Sequence, residues 1–209
     1  LGGWHAEGET HIPAPMESTK PRMLTRKKDI EQVHMCLAFP GVEQDNDALY
    51  PISVMNNLFG GGMSSRLFQR IREEMGAAYS VYSFPSTYTN CGTFTVYAGT
   101  SPETAQKVAD ELHNQIRLLR DGGVTQEEFD MAKEQLKVSY VLGLESSSSR
   151  MSAIGRSKLL RGHAVDPQDV IRKIEAVTKD DVERAAHRMF SRPFSASAVG
   201  RNIDGLKLL

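Results

Sequence analysis

Hydrophobic and polar positions alternate with a period of two over Gln32 to Phe39, where Val33, Met35, Leu37 and Phe39 interleave with Gln32, His34, Cys36 and Ala38. This predicts a strand with one buried face, because successive strand side chains point to opposite sides. A shorter strand is predicted before it, from Met23 to Lys28. After Pro40-Gly41 the period lengthens, and Leu49, Ile52, Met55 and Phe59 fall three or four apart, as on one face of a helix that Gly60, Gly61 and Gly62 stop. A second amphipathic stretch puts Leu67, Phe68, Ile71 and Met75 on one side, with Arg66, Arg70, Arg72, Glu73 and Glu74 around the rest, and Gly76 ends it.

Two further strands are predicted, Tyr79 to Phe84 and Thr93 to Gly99, closed into an antiparallel hairpin by a stretch holding Pro85, Asn90 and Gly92. From there the pattern is mostly helical. Ser101-Pro102 opens a stripe of Ala105, Val108, Ala109, Leu112, Ile116 and Leu119 that Gly122-Gly123 closes. Thr125 with Glu128 forms a capping box ahead of Phe129, Ala132, Leu136 and Tyr140. The serines from Ser146 to Ser149 read as a break before Met151, Ile154 and Leu159. Asp166-Pro167 starts a short helix through Ile174, Thr178 with Asp181 caps one through Met189, and Phe194, Ala196 and Ala198 alternate as a closing strand. The order of elements, two strands, two helices, two strands, a helical run and one strand, predicts an α+β fold: a mainly antiparallel sheet covered by helices on one face. Residues 1–21 carry Gly2, Gly3, Gly8, Pro13, Pro15 and Pro21 without a hydrophobic period and read as an incoming linker, leaving 22–209 as the domain.

Composition narrows the function. With 209 residues and 40% hydrophobic content the chain is long enough for a well-buried core. A net charge of -1, from 25 basic and 26 acidic residues, supplies no field to attract nucleic acid or an anionic membrane. No apolar run reaches the roughly 20 residues a membrane helix needs, and a cytoplasmic location is the default expectation. Cys36 and Cys91 lie in strand-like runs and read as buried free thiols.

Chemistry is first visible by what is missing. His5, His11, His34, His113, His163 and His187 never fall within five residues of one another, so no helix turn pairs two of them on a metal; His113 and His187 read as solvent-facing or interface residues on helices. No Gly-x-Ser-x-Gly elbow is present. Gly60 to Gly62 could surround an anion with backbone N–H groups, but no Gly-Lys-Ser/Thr ending follows. The informative block is 58 to 84, where Arg72 near a helix end and Tyr79 just past Gly76 could turn a fixed cation and a phenolic hydroxyl toward one cleft. Both can donate to a developing oxyanion or a peptide carbonyl. The same residues also fit a plainer reading, with Arg72 paired to a surface carboxylate and Tyr79 a half-buried strand aromatic.

The segment GGGMSSRLFQRIREEMGAAYSVYS, flanked by KKDIEQVHMCLAFPGV and GTFTVYAGTSPE, resembles the second half of the superfamily that includes pitrilysin, insulin-degrading enzyme and the mitochondrial processing peptidases, in its bacterial processing-peptidase-like branch. The resemblance covers most of residues 22–200. It implies one half of a clamshell metallopeptidase closed over an unfolded peptide, with zinc held by the N-terminal half of the same protein or by a partner subunit, and none by this chain. In such proteins the second half supplies an arginine and a tyrosine seven positions apart, which Arg72 and Tyr79 match, while Gly60, Gly61 and Gly62 would be a mobile substrate-side element. The chain alone is then expected to be inactive, with a peptide substrate and no nucleic-acid or membrane partner; a homo-oligomer stays open. The superfamily also contains core subunits that keep the fold without the chemistry, so a scaffold or assembly role is the alternative.

Overall fold

The computed structural model describes residues 20–208. All but the last two residues of the expected linker lie outside the described residues. The elements in chain order are β1 (Met23–Lys27), β2 (Val33–Pro40), α1 (Leu49–Phe59), a π-helical segment (Phe68–Glu74), β3 (Ala78–Thr87), β4 (Gly92–Thr100), α2 (Ala105–Arg120), α3 (Gln126–Gly143), α4 (Ser147–Arg161), α5 (Pro167–Ala176), α6 (Lys179–Phe190) and β5 (Ser195–Gly200).

The strands form one sheet in the order β1-β5-β2-β4-β3. Pairing is antiparallel throughout except between β1 and β5, which run parallel. The closing strand therefore inserts between the first two, a spatial order that strand periodicity does not specify. Val33, Met35, Leu37 and Phe39 of β2 are fully buried, as are Phe94, Val96 and Ala98 of β4 beside them. Against them lie the predicted stripe of α2 and Val182, Ala186, Met189 and Phe190 of α6. Phe39, Phe94 and Phe59 all pack on Phe190 with ring centroids 4.9, 5.8 and 5.6 Å away, in edge-on or tilted contacts that aromatic quadrupoles favour. The alternating residues His34, Cys36 and Ala38 are only partly buried on the other face. The layer arrangement read from the sequence is thus the one observed.

Both capping boxes form, Thr125 with Glu128 and Thr178 with Asp181. Several local readings change. The second amphipathic stretch is a π-helix over Phe68–Glu74, not an α-helix, and the Met75 N–H reaches back five residues to the Arg70 carbonyl at 3.1 Å. The four-residue spacing of Leu67, Ile71 and Met75 fits either kind of helix, so the pattern alone did not separate them. The serine run opens α4, with Ser146 accepting from the Ser149 N–H as N-cap, because serine favours caps for its side-chain acceptor. Met151, Ile154 and Leu159 are 68%, 53% and 85% exposed, so α4 presents little of its apolar side to the core. Pro85 lies inside β3, where its missing N–H is tolerated because β3 is an edge strand. Cys36 and Cys91 are free but half-buried, and His113 is half-buried near Phe194 at 5.9 Å, where burial pushes its imidazole below the ordinary value against Asp110 and the Leu208 backbone. His187 is exposed.

Candidate functional site

Gly60 ends α1 and meets strand β3 directly. The Ser83 N–H donates to the Gly60 carbonyl at 3.0 Å, and the Ser83 hydroxyl donates to Asn56 Oδ1 at 2.8 Å. A Cβ on Gly60 would lie 2.5 Å from both Ser83 N and Oγ, and one on Gly61 2.7 Å from Asn57 Cα, whereas one on Gly62 would meet nothing within 4 Å. Two of the three glycines are demanded by close backbone approach; the third leaves open space. Ser65 fastens the loop's end by donating through both N–H and hydroxyl to the Gly62 carbonyl.

The basic residues that follow divide by partner. Arg66 is clamped on Glu128 through two contacts of 2.6 Å and also donates to the Gly123 carbonyl, tying the loop to the start of α3. Burial opposes the Glu128 carboxylate, but hydrogen bonds from Arg66 and Thr125 outweigh it and hold its pKa below the usual range. Arg70 pairs with Glu74 at 2.6 Å and Glu111 at 3.1 Å. Arg72 has no carboxylate within ion-pair distance among the described residues; its guanidinium lies over the Phe68 ring, 5.0 Å from the centroid. The surface-pair reading of Arg72 is therefore not the arrangement found.

Arg72 lines a pocket of about 240 Å³ together with Gly60, Gly61, Gly62, Phe68 and Tyr82. Tyr79 is not in its lining. The register of β3 on β4 steps from Ala78 opposite Thr100 to Ser80 opposite Gly99, leaving Tyr79 as the extra residue of a β-bulge, 58% exposed. Bulges re-aim side chains, and π-helical turns recur at functional sites; here the two irregularities flank Gly76, whose φ of +57° suits glycine. The sequence reading thus named the pocket's glycines and cation but missed Phe68 as the cation's platform and Ser80 and Tyr82 as its strand wall. The alternation of Ser80, Tyr82 and Phe84 along β3 was the available signal. Tyr82 continues onto the uncovered sheet face, with its ring 4.8 Å from Tyr97, whose hydroxyl lies 2.7 Å from His34 Nδ1.

Among the described residues no three or more His, Cys, Asp or Glu side chains gather as a metal site. No helix among them is long and apolar enough to cross a membrane.

Residues 2–136 match the family model described as the peptidase M16 inactive domain. The chain belongs to that family. An uncharacterized zinc protease of Bacillus subtilis is 38% identical over 95% of this M16 chain and 48% of its own length. Another, from Streptomyces coelicolor, is 39% identical over 81% of the chain and 37% of its own length. The chain therefore spans about half, or less, of the curated relatives it matches. Among solved structures, a peptidase M16 inactive domain from Pseudomonas fluorescens superposes with a TM-score of 0.81 at 21% identity, covering 90% of this chain and 45% of that one. A protease from Helicobacter pylori gives 0.79 at 21% identity, covering 92% and 48%. At that identity these two speak for the fold: an M16 inactive-domain half.

Proposed function

We propose that this chain is the substrate-gripping half of a zinc-dependent metalloendopeptidase that hydrolyses peptides or unfolded segments. The observation that carries the reading is Arg72, a guanidinium with no carboxylate on it among the described residues, beside a pocket walled by glycine backbone and the edge strand. A cation left unpaired is available to a ligand, and arginine keeps its charge at any working pH. On this reading Arg72 and the exposed Tyr79 donate hydrogen bonds to the carbonyl oxygen of the bond to be cut and hold the negative charge that develops there. Gly60 to Gly62 give the peptide a wall without side chains.

The described residues offer no ligand set for zinc. The metal and the attacking water belong, on this reading, to the remainder of the longer protein that the relatives' length implies, and the chain alone does not hydrolyse peptides. The test is zinc-dependent cleavage of an unstructured peptide by the full-length protein, compared with the chain alone. Arg72→Ala and Tyr79→Phe should each lower turnover by about tenfold to a thousandfold, the scale for removing one oxyanion donor. Unchanged turnover in both variants sinks the assignment.

A further inference from the structure

A second pocket, of about 440 Å³, opens between the end of α3, helix α4 and the start of α5, with Tyr140, Leu144, Ile154 and Val170 in its walls. It exists because α4 stands away from the core: Ser157 is the only buried residue of that helix. The Ser157 hydroxyl donates to the His163 carbonyl at 2.9 Å. Arg161 donates to the Gln44 carbonyl at 3.2 Å, and its Nε lies 2.7 Å from Asp45 Oδ1, out of line for a hydrogen bond. These contacts fix the far wall without filling the gap. The volume falls in the range of pockets that bury a small ligand.

The charge of this pocket is one-sided. Arg150, Arg156 and Arg161 line it, and among the described residues no Asp or Glu does. Asp45 answers Arg161, and nearby Asp166 is occupied as the N-cap of α5, accepting from the Gln168 N–H at 2.9 Å. Arg150 and Arg156 have no side-chain hydrogen bond or ion pair among the described residues. An apolar cavity bearing uncompensated guanidiniums fits an apolar group that carries a carboxylate, because the apolar part gains by leaving water while the anion meets planar donors.

We propose that this pocket anchors the C-terminal residue of a peptide, taking its apolar side chain inside and its free carboxylate on Arg150 and Arg156. The proposal rests on the peptide-substrate reading, which supplies the ligand's chemistry. The pocket is remote from Arg72. The Gln44 N–H donates to the Tyr88 carbonyl at the tip of the β3–β4 hairpin, and Tyr79 lies at the other end of β3. Tyr82, in the wall of the Arg72 pocket, is six residues from Tyr88, so the separation along β3 is on the order of 20 Å at a strand's rise of about 3.3 Å per residue. An anchor so placed would favour peptides of roughly six or more residues, extended at about 3.3 Å each.

The test is fluorescence anisotropy on the full-length protein with the metal chelated, so that nothing is cleaved, using one ten-residue peptide ending in leucine as free acid and as amide. The free acid is expected to bind at least tenfold more tightly, and the double variant Arg150→Ala/Arg156→Ala to bring it down to the amide's affinity. Arg72→Ala should leave the acid-to-amide ratio intact. A wild-type ratio near one, or a ratio that survives the double substitution, overturns the anchor. Dodecanoate binding that the double substitution abolishes, without an acid-amide difference, assigns the pocket to free fatty carboxylates and overturns the peptide assignment. A ratio near one with Arg72→Ala still impairing cleavage removes the anchor alone, and a preserved ratio with Arg72→Ala cleaving normally removes the catalytic reading alone.

Discussion

Gly60 and Ser83 touch backbone to backbone, with the Ser83 N–H donating to the Gly60 carbonyl at 3.0 Å where helix α1 ends against strand β3. That contact fixes the distance between the glycine loop and the strand wall of the Arg72 pocket. Gly60→Ala would thrust a methyl to 2.5 Å from Ser83 N and Oγ, and backbone cannot yield as a flexible side chain does. We expect a loss of about 1–3 kcal/mol, the range for overpacking a closed contact. Gly62→Ala, with nothing within 4 Å of the new methyl, should stay within about 0.5 kcal/mol of wild type. Urea denaturation of the two variants checks the contrast, and equal midpoints would remove the steric role given to Gly60.

Arg72 should separate function from stability. Its side chain is exposed, and its guanidinium rests on the Phe68 ring. A cation over an exposed aromatic face contributes about 0.5–1 kcal/mol. Arg72→Ala is therefore expected to shift the thermal midpoint by only a few degrees while lowering turnover of the full-length protein at least tenfold. Arg72→Lys should recover part of the turnover, since the charge returns without the planar fork. A variant that unfolds outright would make Arg72 structural.

The covered face of the sheet was legible because burial alternates along β2 and recurs along α2, and both periods follow from geometry that any buried strand or helix obeys. The strand order was not. Placing β5 between β1 and β2 depends on which edges meet after the helices pack, and no local pattern near Ser195 records it. At the site, the glycine run and the Arg72 position could be read, but not the π-helix or the bulge at Tyr79. Each needs one residue more than a regular turn or rung accommodates, and hydrophobic spacing of four is compatible with either helix. The exposure of Leu159 was not legible either: apolar residues at helical spacing do not say whether the chain's own core covers them.

Glu128 makes stability depend on pH with a definite sign. Burial raises its pKa, but hydrogen bonds from Arg66 and Thr125 dominate, so the folded-state value lies below the unfolded one. A carboxylate so depressed stabilises fully above its unfolded pKa of about 4.3, and that contribution is lost as pH falls through the folded value. Glu128→Gln should lower stability at pH 7 by about 1–3 kcal/mol, the scale for a charged hydrogen-bonded partner. It should also make the fall of stability below about pH 4.3 shallower. Denaturant midpoints between neutral pH and pH 3 measure both, and parallel curves for wild type and variant would count against the Arg66 clamp as a stabilising pair.

Leu37 and Leu159 carry the same side chain into opposite surroundings, 0% and 85% exposed. Leu37 sits mid-sheet on β2, opposite Val96 of β4 and Ala196 of β5, under the helices. Leu37→Ala removes buried methyl groups and leaves a void, a change that costs about 2–5 kcal/mol in a well-packed core. Leu159→Ala has no packed surroundings to lose among the described residues and should change stability by less than about 0.5 kcal/mol. In the full-length protein the second value becomes informative. If the remainder of the protein covers the exposed side of α4, Leu159→Ala will cost 1 kcal/mol or more there, about the worth of a partly buried leucine, while remaining neutral in the chain by itself. Equal, near-zero values in both would leave α4 facing solvent or the cleft, where the pocket flanked by Arg150 and Arg156 stays open to a peptide.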